Sequence, residues 1–229
     1  RTTLSSTLSA TLFVVTWLFT SNAACVSPAT ATSNGITMTV NAVVTPSVSI
    51  ALTTGTNPEC TGASATFTAI PTNGGTTPSY QWMVDGVNAG TNSTTFTTST
   101  LINGQVVTCG MTSNADCLIQ AAAISNGITM TVNAVITPSV SIVLTTGSNP
   151  ECPGASATFT AAPVNGGSTP SYQWRVDGVN DGTNSSTFTT ASLTNGQAVT
   201  CEMTSSLACA SPVTTISNDI IMTVNSVVI

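Results

Sequence analysis

Charge is the scarcest thing in this chain. Only 4% of its 229 residues are Asp, Glu, Lys or Arg, against roughly a quarter in an ordinary soluble protein. Lysine and histidine are absent, and the only basic residues are Arg1 and Arg175. Eight acids (Glu59, Asp85, Asp116, Glu151, Asp177, Asp181, Glu202 and Asp219) give a net charge of −6, spread too thinly to form a patch. Without clustered Lys and Arg nothing neutralises phosphates, which excludes nucleic acid as a partner. With no histidine or lysine, and with carboxylates scattered over turns, no nucleophile, base and pKa-shifting neighbour assemble, so the chain reads as no enzyme. Zinc needs histidines or cysteines paired as C-x-x-C, and neither exists here. No metal and no cofactor are implied. The apolar run Leu12 to Phe19 is too short for a membrane span, which takes about 20 residues. Aromatics are 5%, but hydrophobic residues reach 41%, enough for real cores. The surface must rest on Thr, Ser, Asn and Gly.

What is present is a repeat. Ser33–Val43 recurs as Ser125–Val135, 92 residues later, and of the 92 positions in 33–124 and 125–216, 68 are identical with no gap. Self-similarity at a fixed period decides architecture before any single residue does. The cysteines keep the same phase: Cys60, Cys109 and Cys117, then Cys152, Cys201 and Cys209, with Cys25 at the front. Seven cysteines in so neutral a chain point to an oxidising, extracellular or cell-surface setting, where thiols become crosslinks.

The first 32 residues have the outline of a signal peptide: Arg1, an apolar stretch from Leu12 to Phe19, and Ser21-Asn22-Ala23 as a cleavage site. Their phase argues otherwise. Residues 199–217 set back by two periods fall on 15–33 with 10 of 19 identities, Cys25 on Cys209 and Ser27-Pro28 on Ser211-Pro212. A signal peptide has no reason to keep phase with a repeat. The front therefore reads as the end of an earlier repeat, with Trp17 standing where the later copies carry Cys109 and Cys201.

Inside the repeat the period is two. Val48, Ile50 and Leu52 share one parity, as do Ala65, Phe67 and Ala69, then Tyr80, Trp82 and Val84, and Val107, Cys109 and Met111. Such short Thr- and Val-rich alternations are half-buried strands. Gly55-Thr56-Asn57-Pro58, Asn73-Gly74-Gly75, Asp85-Gly86 and Asn103-Gly104 supply the turns. The pattern predicts strands over about 46–53, 63–70, 78–85, 93–98, 104–112 and 126–132, with 113–125 the longest loop. No segment has helical spacing. Strands this short, about ten residues apart, describe a β-sandwich.

Tyr80-Gln81-Trp82-x-Val84-Asp85-Gly86, with Val107-Thr108-Cys109, resembles the strand C and strand F signatures of immunoglobulin-like domains. The expected first cysteine is replaced by Ala69, and by Ala161 in the second copy, so the usual inter-sheet disulfide cannot form. The fuller run, from Glu59-Cys60-x-Gly62-Ala63-Ser64 through Asn103-Gly104-Gln105-Val106-Val107-Thr108-Cys109 to Ser125-Asn126-Gly127-Ile128, is similar to repeats in very long secreted surface proteins of gliding bacteria, typically exported by the type IX route. That resemblance implies adhesive or fibre-forming roles and carries no catalytic residues.

Parity places Trp82, Trp174, Tyr80, Tyr172, Phe67 and Phe159 in the cores, where a large aromatic on the buried face of a strand packs, rather than on a sugar-stacking surface. Asp85 and Asp177 sit in Asp-Gly turns and read as turn formers before calcium ligands, which need several oxygens together. Asn92-Ser93-Thr94 and Asn184-Ser185-Ser186 match the glycosylation sequon as coincidences of a Ser/Thr/Asn-rich chain. For the cysteines, three pairings fit sandwich geometry and the roughly 7 Å Cα limit: Cys60 with Cys109, Cys109 with Cys117, or Cys60 with Cys209 between consecutive repeats. The parallel positions are Cys152, Cys201 and, at the front, Cys25.

The expected object is all-β, a row of tandem immunoglobulin-like sandwiches: the end of one repeat over 1–42, a repeat over 43–134, and another over 135–229 that includes the start of the next first strand. Short apolar linkers make the row stiff. An incomplete sandwich over 1–42 exposes Leu12, Val14, Trp17 and Phe19. It is explained by a longer repeat protein or by self-association, in which separate subunits complete one another by strand addition and polymerise. Function reads as a structural, adhesive extracellular filament, with neighbouring repeats or subunits, surface glycans or other cells as partners. The alternative is a carbohydrate-binding or spacer region of a secreted modular enzyme.

Overall fold

The computed structural model describes residues 11–25, 27, 28 and 30–226. Arg1 and the start of a further strand at 227–229 lie outside the described residues. By its internal contacts the chain divides into two compact units, the first made of residues 1–54, 65–98 and 105–129, the second of 55–64, 99–104 and 130–229. Every regular element among the described residues is a β-strand.

The first unit opens with β1 (Thr11–Val15), β2 (Leu18–Thr20), β3 (Thr30–Thr32) and β4 (Ile36–Val40). β1 pairs antiparallel with β4, and β2 with β3. Then come β5 (Ser47–Thr54), β6 (Glu59–Cys60, which belongs to the second unit), β7 (Ala65–Thr72), β8 (Ser79–Val84), β9 (Val87–Ala89), β10 (Thr95–Thr98), β11 (Val106–Thr112), β12 (Ala122–Ile124) and β13 (Ile128–Thr129). They form two sheets, β10-β7-β5 and β12-β11-β8-β9, with β13 also on β11. The inward parity of each strand supplies the core. Phe67, Trp82, Val107 and Met111 are buried, and the Phe96 ring of β10 stacks between Phe67 and Trp82 at 6.3 and 5.7 Å. The Trp82 indole N–H donates to Ser93 O at 2.9 Å, so its one polar atom is satisfied inside the core.

The second unit contains β14 (Val132–Asn133), β15 (Ser139–Thr146), β16 (Ala157–Val164), β17 (Ser171–Val176), β18 (Val179–Asp181), β19 (Thr187–Thr190), β20 (Ala198–Thr204), β21 (Thr214–Ile216) and β22 (Ile220–Ile221). Its sheets, β15-β16-β19 and β18-β17-β20-β21 with β22 on β20, repeat the arrangement of the first copy. Phe159, Trp174, Val199, Cys201, Met203 and Met222 are fully buried. Phe188 stacks against Trp174 at 5.6 Å, and the Trp174 indole donates to Ser185 O at 2.8 Å.

The tight β8–β9 and β17–β18 hairpins follow from their sequence. Asp85 and Gly86 have φ of 52° and 77°, Asp177 and Gly178 of 51° and 78°, the left-handed pair that a two-residue hairpin turn requires and that Asp-Gly tolerates best. The Asp85 carboxylate accepts the Val106 N–H and that of Asp177 accepts the Ala198 N–H, each at 2.9 Å. These carboxylates clamp the turn to the adjacent strand.

The expected strands over 46–53, 63–70, 78–85, 93–98 and 104–112 stand within two residues of β5, β7, β8, β10 and β11. The strand expected over 126–132 does not exist as one piece. Only β13 and β14 fall on it, and β12 occupies part of the stretch read as loop 113–125. The cause is local. Ser125 Oγ accepts the Cys109 N–H at 2.9 Å, and the Asn126 amide bridges across to Ile50, accepting its N–H at 2.9 Å and donating to its carbonyl at 3.3 Å. Side chains take over backbone bonds, the chain kinks, and a Cβ at Gly127 would stand 2.8 Å from the Val106 side chain. Ser217 and Asn218 do the same to Cys201 and Ile142.

The front segment has the same device. Trp17 N–H donates to Ser33 Oγ at 2.9 Å and Ser33 N–H to Trp17 O at 2.8 Å, the bonds that Cys109 makes with Ser125. Leu18 pairs with Thr32 and Val14 with Thr37, matching Gly110 with Ile124 and Val106 with Thr129 one period later. Residues 11–40 therefore carry the register of the last hairpin of a repeat.

Replacing Trp174 by Ala removes a ring packed on two others and orphans Ser185 O, so about 3–5 kcal/mol of stability should be lost. Denaturant unfolding followed by far-ultraviolet circular dichroism measures it.

Candidate functional site

The feature with the most chemical consequence is a covalent clasp inside the second unit. β6 lies parallel to β14, with Glu59 beside Val132 and Cys60 beside Asn133. The Asn57 amide oxygen accepts the Thr131 N–H at 2.8 Å, Glu59 N–H donates to Thr131 O and Thr61 N–H to Asn133 O, both at 2.9 Å. Past β14, Ile136 makes a parallel bridge to Ala210: its N–H donates to Cys209 O and its carbonyl accepts the Ser211 N–H, each at 2.9 Å. The strand running from Val132 to Ile136 thus lies beside both cysteine-bearing segments. Cys60 and Cys209 are joined by a disulfide with Cα atoms 5.6 Å apart and a sequence separation of 149. Of the three pairings open to sequence reasoning, this is the one present.

The remaining cysteines sort by environment. Cys109 and Cys201 are free and buried, opposite Trp82 and Trp174 in register. Desolvation pushes both thiols up to about 11, so they are neutral at physiological pH and lack the thiolate that nucleophilic chemistry needs. Cys25, Cys117 and Cys152 are free and exposed.

Two buried carboxyls sit next to the turn cysteines, and sequence reasoning missed them. Glu59 and Glu151 are 5% and 4% exposed, and one oxygen of each, Oε2, has no hydrogen-bond partner. Burial pushes the Glu59 carboxyl above the ordinary carboxylate range. Nothing in the sequence signals this, because the enclosing contacts come from residues some 70 positions away.

The aromatic residues named from parity are placed as follows. Trp82, Trp174, Phe67 and Phe159 are fully buried, Tyr80 is buried and Tyr172 half-buried. Trp17 and Phe19 are exposed, 73% and 59%. One period on, the same positions hold Cys109 and Met111, which are fully enclosed. Val15 and Met38, also exposed, correspond to the enclosed Val107 and Met130. The hairpin of residues 11–40 thus presents the inner face of a sandwich. Val14 is exposed too, while the side chain of Leu12 lies outside the described residues.

The two copies differ on the outer face of the larger sheet. In the first, Gln81, Met83, Gly110 and Ile124 line an open groove of about 460 Å³. In the second, Arg175 replaces Met83 and Glu202 replaces Gly110, and the two form an ion pair at 3.0 Å. Among the described residues no group of three or more His, Cys, Asp or Glu is placed to hold a metal, and no helix is long and apolar enough to cross a membrane.

No protein-family model matches the chain, and no curated protein matches it. Among solved structures it is similar to fibronectin(III)-like modules of Clostridium thermocellum CbhA, with 13% identity over 76% of this chain and 92% of that one and a TM-score of 0.38. It is similar to three N-terminal domains of the bacteriophage RB49 Highly Immunogenic Outer Capsid protein, 12% identical over 78% and 59% with a TM-score of 0.35. Titin domains match at 11% identity over 93% and 75% with a TM-score of 0.40. The fold itself rests on the sheets and cores described above: the chain is all-β, with tandem immunoglobulin-like sandwiches.

Because the fold favours protonated Glu59, stability is greatest below the carboxyl's unfolded-chain value and falls as pH rises from there through the raised value. Glu59→Gln should match the wild type in denaturant midpoint near pH 3 and exceed it at pH 7. Equal midpoints at both values would mean that the carboxylate is hydrated or paired.

Proposed function

We propose that this chain is a structural and adhesive unit of an extracellular filament, of the kind that the resemblance to gliding-bacterial surface repeats implies. The observation that carries the reading is the Cys60–Cys209 crosslink, which ties a turn in one 92-residue copy to a loop in the next. A bond of this sort persists only in an oxidising compartment. It also suits a chain that must transmit tension. The repeat boundaries, 1–42, 43–134 and 135–229, follow the sequence period. The two copies act mainly as spacers, since a unique binding site has no reason to be written twice. No catalytic step is assigned.

Assembly is the second part of the reading. Val15, Trp17, Phe19 and Met38 present a face whose counterparts in the complete copies are covered by a facing sheet. Strands from a neighbouring repeat or subunit would cover it, by the strand-addition chemistry that pairs exposed edges. The carbohydrate-binding alternative needs an exposed aromatic strip on a finished sandwich. Trp82 and Trp174 are enclosed, which favours the filament.

Electron microscopy of the native material, with and without reductant, tests this. Long filaments with a regular subunit repeat are the expected result. Discrete short rods would contradict it and move the search for function to a different part of a modular protein.

A further inference from the structure

The outer face of the smaller sheet in each sandwich carries a grid of threonines. On β7, Thr66 and Thr68 alternate with the core residues Ala65, Phe67 and Ala69, and on the edge strand β10, Thr95 and Thr97 flank Phe96. Register sets Thr95 opposite Thr68 and Thr97 opposite Thr66, while Thr53 joins the group from β5 on the other side of β7. The hydroxyls pair across strands, Thr66 with Thr97 and Thr53 with Thr68, each at 2.9 Å. The second sandwich repeats the five as Thr145, Thr158, Thr160, Thr187 and Thr189, with Thr158 paired to Thr189 and Thr145 to Thr160 at 2.9 Å. Neighbouring outward positions drift between the copies, Ala51 to Val143, Ile70 to Ala162 and Thr72 to Val164. The five threonines stay.

Thr53, Thr95 and Thr97 are exposed, and Thr66 and Thr68 are half-buried. Outward residues stand about 4.8 Å apart between strands and about 6.8 Å apart along one, a grid close to the oxygen repeats on the prism faces of hexagonal ice. Hydroxyls fixed at those spacings can take lattice positions in place of water. Their mutual pairing holds the rotamers before the ligand arrives, which lowers the ordering cost of binding. Charge matters as much, because ice excludes ions and a charged side chain keeps a shell of liquid-like water. None of the chain's charged residues stands on β5, β7 and β10 or on their counterparts β15, β16 and β19. The outer face of the other sheet, by contrast, carries the Arg175–Glu202 pair in the second copy. A sugar polymer is the other flat, neutral ligand, but its rings stack on exposed aromatics. The aromatics of these strands stack within the cores, Phe67 with Phe96 and Phe159 with Phe188.

We propose that this threonine face is an ice-binding site, its ligand the ordered water of an ice surface. The hydroxyls exchange liquid water for lattice water, and the threonine methyls fill the hollows between lattice oxygens. The inference rests on the adhesive reading and names what the unit adheres to.

The test grows ice slowly from a dilute solution of the full chain and measures protein in the ice and in the remaining liquid. Thermal hysteresis of single ice crystals is the second readout. The chain should concentrate in the ice and hold a gap between freezing and melting points. Thr95→Lys with Thr187→Lys puts one charge on each face at exposed edge-strand positions, where lysine is well tolerated. This pair should bring both readouts down to those of a protein with no affinity for ice. Ser79→Lys with Ser171→Lys adds the same charge to the exposed outer face of the other sheet and should keep both. Circular dichroism melting checks folding, and Thr97→Lys with Thr189→Lys repeats the test if the first pair does not fold. Exclusion of the unsubstituted chain from ice, or equal loss in the serine and threonine pairs, would overturn the proposal. So would retention on microcrystalline cellulose without enrichment in ice, which would put a polysaccharide on the face. Microscopy separates the two levels: filaments without ice enrichment sink the ligand alone, and ice enrichment without filaments sinks the filament reading alone.

Discussion

The disulfide between Cys60 and Cys209 constrains more of this molecule than any other contact. It closes a loop over 149 residues of sequence separation, and the strands from β7 to β20 lie inside it. In the chain-entropy view, closing a loop of that length removes denatured-state freedom worth roughly 4–5 kcal/mol. Its mechanical effect is larger in kind. Once β5, β21 and β22 have detached from β7 and β20, tension applied at the chain ends would pass from residue 60 across the sulfurs to residue 209 and bypass the chain between them. The scarcity of charge fits this design. A chain with 4% charged residues cannot lace its surface with ion pairs, so it relies on packed aromatics, backbone pairing and a covalent bond.

Around the crosslink, the holding parts are neutral amides and hydroxyls. Asn57 fixes Thr131, Asn126 fixes Ile50, and Ser125 fixes Cys109. Each recurs one period later through Asn149, Asn218 and Ser217. A buried or half-buried amide that satisfies a backbone donor is favourable without needing a counter-charge. Glu59 and Glu151 break that rule. Each buries an unpartnered carboxyl oxygen next to a turn cysteine, and the raised pKa of Glu59 marks a place where the fold gives up stability.

Much of the fold was legible because the repeat period and the two-residue alternation are properties of the chain itself. Phe67, Trp82 and Met111 share an inward parity that any half-buried strand would impose. The front segment keeps the phase of the repeat: Trp17 and Ser33 make the bonds that Cys109 and Ser125 make one period later. What sequence reasoning missed is non-local. β6 and β14 are two residues each, too short to show alternation, and they pair in parallel across some 70 positions. The break at Ser125-Asn126 depends on where Ile50 lies, and the burial of Glu59 on where β14 passes. The pairing of Cys60 was undetermined because seven cysteines in phase allow many connections. The ion pair of Arg175 with Glu202 is likewise set by the strand pairing that brings them within reach of one another.

Single-molecule stretching of the chain from its two ends tests the central claim most directly. In the oxidised protein the extension should lack the length held between residues 60 and 209. That length is 149 residues, about 500 Å at roughly 3.3–3.6 Å per residue. It should appear once a reductant is added. Equal extension with and without reductant would mean that the clasp does not carry the load, and the account of this chain as a force-shielded repeat would be wrong.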